Sequence, residues 1–195
     1  MGKVILLIGP SCAGKSTTAR AIQAAASDPY IVLSLDGLFA SVDDRWGSGG
    51  AFRDAGFAYA RETDGSTRIV YGDVGRGMLR GMRLAVAAYA RAGVNVVFDD
   101  MLFDETALPE WTSALTGVDA LLVRLTAPLE ALLDRETTRA HRRTPGLVAG
   151  HKPLHDAIDA DLVVDTAANA PAEAAALILK AQATPVRVFN RYGLL

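Results

Sequence analysis

Residues 9–16 read Gly9-Pro10-Ser11-Cys12-Ala13-Gly14-Lys15-Ser16. They follow an apolar run over residues 4–8 and precede a helical pattern that starts at Thr17. A G-x-x-x-x-G-K-[ST] spacing between a strand and a helix is typical of a phosphate-binding loop (P-loop), in which backbone N–H groups and the helix N-terminus bind phosphate. The alternative is a glycine-rich turn without a ligand. The flanking strand and helix favour the first interpretation, so the sequence predicts a nucleoside triphosphate site.

The P-loop residues have predicted parts in this site. Lys15 should reach the β- and γ-phosphates, and the Ser16 hydroxyl should hold Mg²⁺. We interpret Cys12 as a small loop residue rather than a redox group. No base-specific motif separates ATP from GTP, and we take ATP as the expected nucleotide. The loop residues expected to bind it are Gly9, Pro10, Ser11, Cys12, Ala13, Gly14, Lys15, Ser16 and Thr17.

The composition limits the class of protein. The chain has 195 residues, half of them apolar, which is enough for one compact α/β domain. A net charge of −2 gives no reason to expect a nucleic-acid or membrane partner. With one cysteine and no long apolar run, the sequence predicts a cytoplasmic protein without a disulfide, signal peptide or membrane span. Oligomeric state stays open, and a homo-oligomer is one option.

Apolar runs alternate with helical patterns along the chain. Strands are expected at 3–8, 31–35, 94–98, 120–125 and 161–165, and helices at 15–26, 37–43, 74–92, 106–116, 128–142 and 171–183. This alternation predicts an α/β protein with a five-stranded parallel sheet between helical layers. The expected fold is a three-layer P-loop NTPase of the nucleoside-monophosphate-kinase type, with a single kinase domain over residues 1–195.

Two segments interrupt this regular pattern. Residues 37–75 are rich in aromatics and contain a hairpin signal at Asp64-Gly65, so they are expected to form an insert that binds the acceptor. The alternative is a satellite core beneath a long loop. Residues 135–155 are expected to form an arginine-rich lid, with loop or lid structure over 144–160 and His155 as a candidate substrate contact. The tail over 184–195 suggests an edge strand or a subunit contact.

Asp36 follows the second predicted strand. Ligands of open α/β sheets bind at the carboxyl ends of the strands, so this carboxylate should lie near the P-loop. Transfer of a phosphoryl group to an alcohol requires a carboxylate that orients or deprotonates the hydroxyl. Asp36 is therefore the expected catalytic base. The alternative is that Asp36 only caps the helix that follows.

Two aspartates, Asp99 and Asp100, follow the third predicted strand. An acidic residue after an apolar strand is the pattern that holds Mg²⁺ in P-loop proteins. Asp99 is the preferred metal ligand because it directly follows the last apolar residue, with Asp100 nearly equivalent. A cap at the end of the strand is the alternative.

Arginines at positions 135, 139, 142 and 143 are spaced to share one face of a helix. Like charges on one face repel each other, which favours an anionic partner. Arg135 and Arg139 are therefore expected to contact the phosphates and stabilise charge in the transition state. An ordinary solvated helix face is the alternative.

The pattern as a whole resembles the chloramphenicol phosphotransferase family of P-loop kinases. The resemblance rests on residues 9–16, Leu35-Asp36-Gly37-Leu38, Val97-Phe98-Asp99-Asp100, Arg135-Glu136-Thr137-Thr138-Arg139 with Arg142, Gly146, His155, and Val164-Asp165-Thr166. It implies ATP- and Mg²⁺-dependent phosphorylation of a small-molecule hydroxyl, with Asp36 as general base and the lid arginines on the phosphates. The hairpin region at 57–71 and the tail after 184 depart from the family pattern.

Three functions follow as hypotheses. The first is an O-phosphotransferase for a chloramphenicol-type antibiotic or a related metabolite, with a role in antibiotic resistance. The second is a kinase of the same fold for a sugar acid, a shikimate-like acid or a nucleoside. The third is a nucleotide-binding regulatory protein without turnover, which would not require Asp36.

Overall fold

The structure, a computed structural model, describes residues 1–138 and 144–184. Within them the strands are β1 (Lys3–Ile8), β2 (Tyr30–Ser34), β3 (Phe57–Arg61), β4 (Thr67–Tyr71), β5 (Asn95–Asp100), β6 (Asp119–Thr126) and β7 (Leu162–Asp165). The α-helices are α1 (Lys15–Ala25), α2 (Leu35–Ser41), α3 (Asp73–Arg91), α4 (Ala107–Ala114), α5 (Leu129–Thr138), α6 (Leu147–Asp156) and α7 (Pro171–Gln182). A short 3₁₀ helix spans Asp44–Trp46.

Five strands form one parallel sheet in the order β2-β5-β1-β6-β7. The central strand β1 pairs with β5 on one side and β6 on the other. Its residues Val4 to Ile8 are fully buried, because both faces of the sheet are covered by helices. The expected α/β fold with a five-stranded parallel sheet is therefore confirmed.

Alternate residues of β1 contribute to two different cores. Leu6 and Ile8 belong to the core that includes residues of α3 and α4, whereas Ile5 and Leu7 belong to the core that includes residues of α1 and α7. Side chains of a strand alternate between its faces, so one apolar run supplies both cores. The protein thus has three layers, with the sheet in the middle.

Two boundaries differ from expectation in ways that affect the site. β5 continues through Asp100, so Asp99 and Asp100 are its last two residues rather than a loop after it. The segment expected as loop or lid over 144–160 contains α6, and that expectation is wrong for residues 147–156. The helix forms despite Pro153 because it buries Val148, His151 and His155 against the rest of the protein.

The remaining strands, β3 and β4, form an antiparallel hairpin outside the main sheet, as expected around Asp64-Gly65. The edge of β4 is covered by the N-terminal half of α6. Thr67 N–H donates to the Gly146 carbonyl at 2.9 Å, and its hydroxyl donates to the Pro145 carbonyl at 2.8 Å. Two residues on, Ile69 N–H donates to His151 Nε2 at 3.0 Å.

None of the helices in the described part of the chain combines the length and the low polarity that a bilayer span requires. Arg139, Arg142 and Arg143 and the tail beyond residue 184 lie outside the described residues.

Close approach of α6 to β4 depends on Gly150. A Cβ atom at this position would lie 2.1 Å from the Thr67 carbonyl oxygen, a backbone atom that cannot rotate away. We therefore expect Gly150→Ala to lower the free energy of unfolding by about 2–3 kcal/mol, measured by urea denaturation. Gly77→Ala is the control, because Gly77 faces open space on α3 and alanine there should stabilise by up to about 1 kcal/mol. A Gly150→Ala protein as stable as the unchanged one would contradict this packing.

Candidate active site

The P-loop connects β1 to α1, and its backbone is held tightly against β6. Gly9 has φ +154°, and a Cβ atom there would lie 2.4 Å from the Leu125 carbonyl oxygen. Cys12 takes a left-handed conformation with φ 64°, which is uncommon for a residue with a side chain. Strained backbone of this kind is frequent where a loop must present N–H groups to a ligand.

The P-loop lysine lies inside the loop. Lys15 Nζ donates to the carbonyls of Gly9 and Pro10 at 2.9 and 3.0 Å. Burial lowers the pKa of Lys15, and the negative charges of Asp99 and Asp36 oppose this change. The ammonium group is thus held inside the P-loop by two of the loop's own carbonyls.

The end of β5 brings Asp99 next to the P-loop. Ser16 Oγ donates to Asp99 Oδ2 at 2.5 Å, and Lys15 Nζ lies 4.0 Å from Asp99 Oδ1. Parallel pairing of Leu7 with Asp99 places the two strand ends side by side. A hydroxyl and a carboxylate are oxygen donors of the kind Mg²⁺ prefers, with phosphates and water as its remaining ligands. Among the described residues, no three or more His, Cys, Asp or Glu side chains form a group that could hold a metal ion.

The neighbouring Asp100 faces the opposite side of the sheet. Its carboxylate accepts a hydrogen bond from Trp111 Nε1 at 2.5 Å and is 2% exposed. Burial raises the pKa of Asp100 to about 6, and the positive charge of Arg83 opposes this shift. Arg83 is buried over the Trp111 ring and forms an ion pair with Glu110. The alternation of the strand therefore places Asp99, and not Asp100, on the P-loop side.

Asp36 lies in the first turn of α2, two residues after the end of β2. Ser34, rather than Asp36, is the N-cap of this helix, since its hydroxyl accepts the Gly37 N–H at 3.1 Å. The capping alternative for Asp36 is thus removed. Its exposed side chain lines the same cavity as Lys15 and Asp99.

Arg135 of α5 lies against the P-loop and the loop after β7. Its guanidinium donates to the Cys12 carbonyl at 3.3 Å, to Thr166 Oγ1 at 2.9 Å and to the Thr166 carbonyl at 3.0 Å. These contacts fix the wall of the cavity beside the P-loop. Arg139, the other arginine expected on the phosphates, lies outside the described residues.

Lys15, Ser16, Asp36, Asp99 and Arg135 all line one cavity of about 630 Å³. Its P-loop end has Ser11, Lys15 and Ser16 in its lining. Further residues continue the cavity on either side of this end: Arg135, Thr138, Thr166, Asn169 and Pro171 beside the P-loop, and Leu35, Phe39, Tyr59, Ile69, Met101, Phe103 and Leu147 beyond Asp36. The second group is almost entirely apolar.

A second cavity of about 700 Å³ adjoins the apolar end of the first. The two share Phe39, Tyr59, Ile69 and Thr144 as walls. Arg45 is the only lysine or arginine among the described residues that line it, and its guanidinium forms a two-bond pair with Asp43 at 3.0 Å. Within the insert, Phe57 is buried in the core, whereas Phe39 and Tyr59 line the cavities.

His155 was expected as a substrate contact, and this expectation is wrong. Its ring is fully buried, and neither ring nitrogen has a hydrogen-bond partner among the described residues. Burial also lowers the pKa of His151, to about 4, so this ring is neutral and accepts the Ile69 N–H. Both histidines support α6 from within the protein rather than facing the cavity.

Sequence reasoning missed several residues of the cavity wall. Met101 and Phe103 directly follow the carboxyl end of β5, and the rule for ligand sites in open sheets could have identified them. No local pattern indicated Asn169 or Pro171. They line the cavity because the loop after β7 passes beside the P-loop.

Comparison with known proteins places this geometry in context. The family model of chloramphenicol phosphotransferase-like proteins matches residues 2–183. Among curated proteins, none matches this sequence.

Several solved structures are similar in fold. The APS kinase of Mycobacterium tuberculosis, solved with AMPPNP and APS, has a TM-score of 0.67 at 17% identity, covering 94% of this chain and 98% of that one. A gluconokinase from Sinorhizobium meliloti 1021 has a TM-score of 0.60 at 19% identity, covering 93% and 91%. The tunicamycin resistance protein of Deinococcus radiodurans has a TM-score of 0.62 at 14% identity, covering 92% and 95%. At these identities the likeness shows a shared P-loop kinase fold.

Proposed function

Since the chain belongs to the chloramphenicol phosphotransferase-like family, we propose that it transfers the γ-phosphate of ATP to a hydroxyl of a small, largely apolar molecule. The observation that carries this proposal is the single cavity in which Lys15, Ser16 and Asp99 face Asp36. A phosphate site at one end and a carboxylate beside an apolar pocket at the other are what a kinase of small alcohols requires.

The donor side follows from the P-loop geometry. Lys15 would leave the loop carbonyls and bind the β- and γ-phosphates, while Ser16 and Asp99 hold Mg²⁺. The positive charge of Mg²⁺ held by these two residues would offset the negative charge of the phosphates. Arg135, with Asn169 and Pro171, would bound the space for the nucleoside. Arg135, which donates to the P-loop carbonyl of Cys12, would also lie close enough to the phosphates to offset part of their charge.

The acceptor side depends on Asp36. Its carboxylate would accept the hydroxyl proton as the oxygen forms a bond to the γ-phosphorus. The bond from that phosphorus to the bridging oxygen breaks, and ADP leaves with the electron pair. Asp36 stands on a helix anchored at the end of β2, so the base and the phosphate site are fixed by the same sheet.

The pocket lining favours an uncharged acceptor. APS and gluconate are acidic, and binding such an anion would require a cation facing the pocket. The insert contributes Arg45 to the described walls, and Asp43 already neutralises it. Phe39, Tyr59 and Phe103 instead offer aromatic surface next to Asp36. A chloramphenicol-type antibiotic or a related aromatic alcohol fits this chemistry, and the two adjoining cavities give room for a bulky one.

A ligand screen tests the acceptor class. The unfolding temperature is measured with Mg-ADP present and chloramphenicol, other hydroxylated antibiotics, shikimate, gluconate or nucleosides added in turn. A compound present at a concentration of about 100 times its Kd adds roughly 2.7 kcal/mol to the free energy of unfolding. We expect the uncharged aromatic alcohols to raise the temperature and to be phosphorylated with ATP.

Two tyrosine variants test whether the acceptor binds in the two cavities. Tyr59→Ala should reduce the rise in unfolding temperature that the acceptor causes, because Tyr59 lines both cavities. Tyr89→Ala, a similarly exposed tyrosine on α3 that lines neither cavity, should leave it unchanged. A response to shikimate or gluconate alone would favour the acid kinase instead. Absence of ATP consumption with every compound would favour a regulatory nucleotide-binding protein.

A further inference from the structure

Glu136 lies beside Arg135 in the R-E-x-x-R segment and has no role in the proposed reaction. Its carboxylate accepts the Gly146 N–H at 3.1 Å and the Val148 N–H at 2.9 Å. These are donors at the N-terminus of α6, where Gly146 is the N-cap and has no side chain that could accept them. Glu136 therefore caps a helix ten residues away in sequence, with a charge that suits the helix dipole.

The capped helix is in turn bonded to the acceptor hairpin. On the edge of β4, the Thr67 N–H donates to the Gly146 carbonyl and the Ile69 N–H donates to the His151 ring. Gly150 brings the two backbones into direct contact. Ile69 lines both cavities, and its cross-strand partner Tyr59 does so as well.

The preceding residue connects the same helix turn to the nucleotide side. Arg135 is bonded to the P-loop carbonyl of Cys12 and to Thr166, as described above. A change at the P-loop that moves α5 would therefore move the Glu136 carboxylate, then α6, then the hairpin. Apart from the covalent step from Arg135 to Glu136, the links are hydrogen bonds between described residues. Cys12 and Gly146 accept through backbone carbonyls, and His151 accepts through a buried ring.

We propose that Glu136 is a positioning residue that couples nucleotide binding at the P-loop to the ordering of the acceptor hairpin through α6. The inference rests on the proposed nucleotide site but not on the identity of the acceptor. Such coupling requires that both ligands bias one connected element, and α6 is that element here. ATP would thus prepare the acceptor pocket before the acceptor binds.

Hydrogen exchange tests this coupling without an acceptor. Exchange of peptides covering residues 9–16 and 57–71 is measured in the full chain, with and without Mg²⁺ and a non-hydrolysable ATP analogue. In the unchanged protein we expect the analogue to slow exchange in both peptides, by about fivefold or more in the hairpin. In Glu136→Gln the analogue should slow exchange in the hairpin peptide by less than about twofold, and it should slow exchange in the P-loop peptide as much as in the unchanged protein. Glutamine keeps the size of the side chain but offers one oxygen for two N–H groups.

Two further variants make the result specific. Glu130→Gln removes an exposed charge from the first turn of the same helix and should keep the hairpin effect. Thr67→Val removes the hydroxyl bonded to Pro145 and should reduce the hairpin effect from the other end of the link. Each comparison is the ratio of exchange rates without and with the analogue, measured within one variant.

The outcomes are distinct. Equal hairpin protection in Glu136→Gln and in the unchanged protein overturns the inference, as does a hairpin that never responds to the analogue while the P-loop does. No protection of residues 9–16 in the unchanged protein contradicts the proposed nucleotide site itself, and the inference with it.

Discussion

Asp36→Ala is expected to lower the rate of phosphotransfer by about 10²–10⁴-fold while nucleotide binding stays near normal. Asp36 lines the same cavity as Lys15 and Asp99 and is not the N-cap of its helix, so the substitution leaves the Ser34 cap in place. The measurement is kcat on the acceptor found in the ligand screen, together with the Kd for ATP from a binding titration. Removal of a base used only in the transition state should lower kcat rather than ATP affinity.

Asp73→Ala is the matched control for this variant. Asp73 is also an exposed aspartate in the first turn of a helix, and its loss carries the same small helix-dipole cost. It does not line either cavity, so turnover should stay within about twofold of the unchanged protein. An Asp36→Ala enzyme with normal turnover would exclude Asp36 as the base.

Asp99→Asn is expected to lower kcat by about 10²–10³-fold and to raise the Mg²⁺ concentration needed for half-maximal rate. Asp99 contacts Ser16 at the P-loop, and asparagine has the same shape without the charge that binds the metal. The measurement is the rate as a function of Mg²⁺ at fixed ATP. The free energy of unfolding should change little, since the Asp99 side chain lines the cavity.

Asp100→Asn provides the comparison on the other face of the same strand. The asparagine oxygen can still accept the hydrogen bond from Trp111 Nε1. We expect an Mg²⁺ dependence close to that of the unchanged protein and a kcat within about fivefold of it. A stronger loss of Mg²⁺ affinity in Asp100→Asn than in Asp99→Asn would reverse the proposed assignment.

The sheet was predictable because its signal is local and continuous. Residues 4–8 are apolar without a break, and only a strand with helices on both faces buries every one of them. Asp36 and the P-loop could be placed at one edge because parallel strands end together. The choice between Asp99 and Asp100 depended on where β5 ends, and a shift of one residue would have exchanged their faces.

The proposed acceptor side of the cavity could not be predicted in the same way. α6 contains Gly150 and Pro153, which indicate a loop by propensity, and it is stable because tertiary contacts bury its histidines. Glu136 caps a helix that the sequence does not predict, so no pattern could assign its function. The second cavity arises where the 3₁₀ segment and the hairpin meet, and that meeting depends on long-range packing.

The position of α6 on β4 also has a consequence for solubility. An uncovered strand edge presents unpaired N–H and C=O groups to which another chain can add a strand. On β4 the N–H groups of Thr67 and Ile69 are bonded to Gly146, the N-cap of α6, and to His151 of α6, so these two groups are not open to another strand. Variants that detach α6 should therefore aggregate through residues 67–71 at protein concentrations where the unchanged protein stays monodisperse. In this protein, one helix both contributes Leu147 to the cavity wall and covers part of a strand edge.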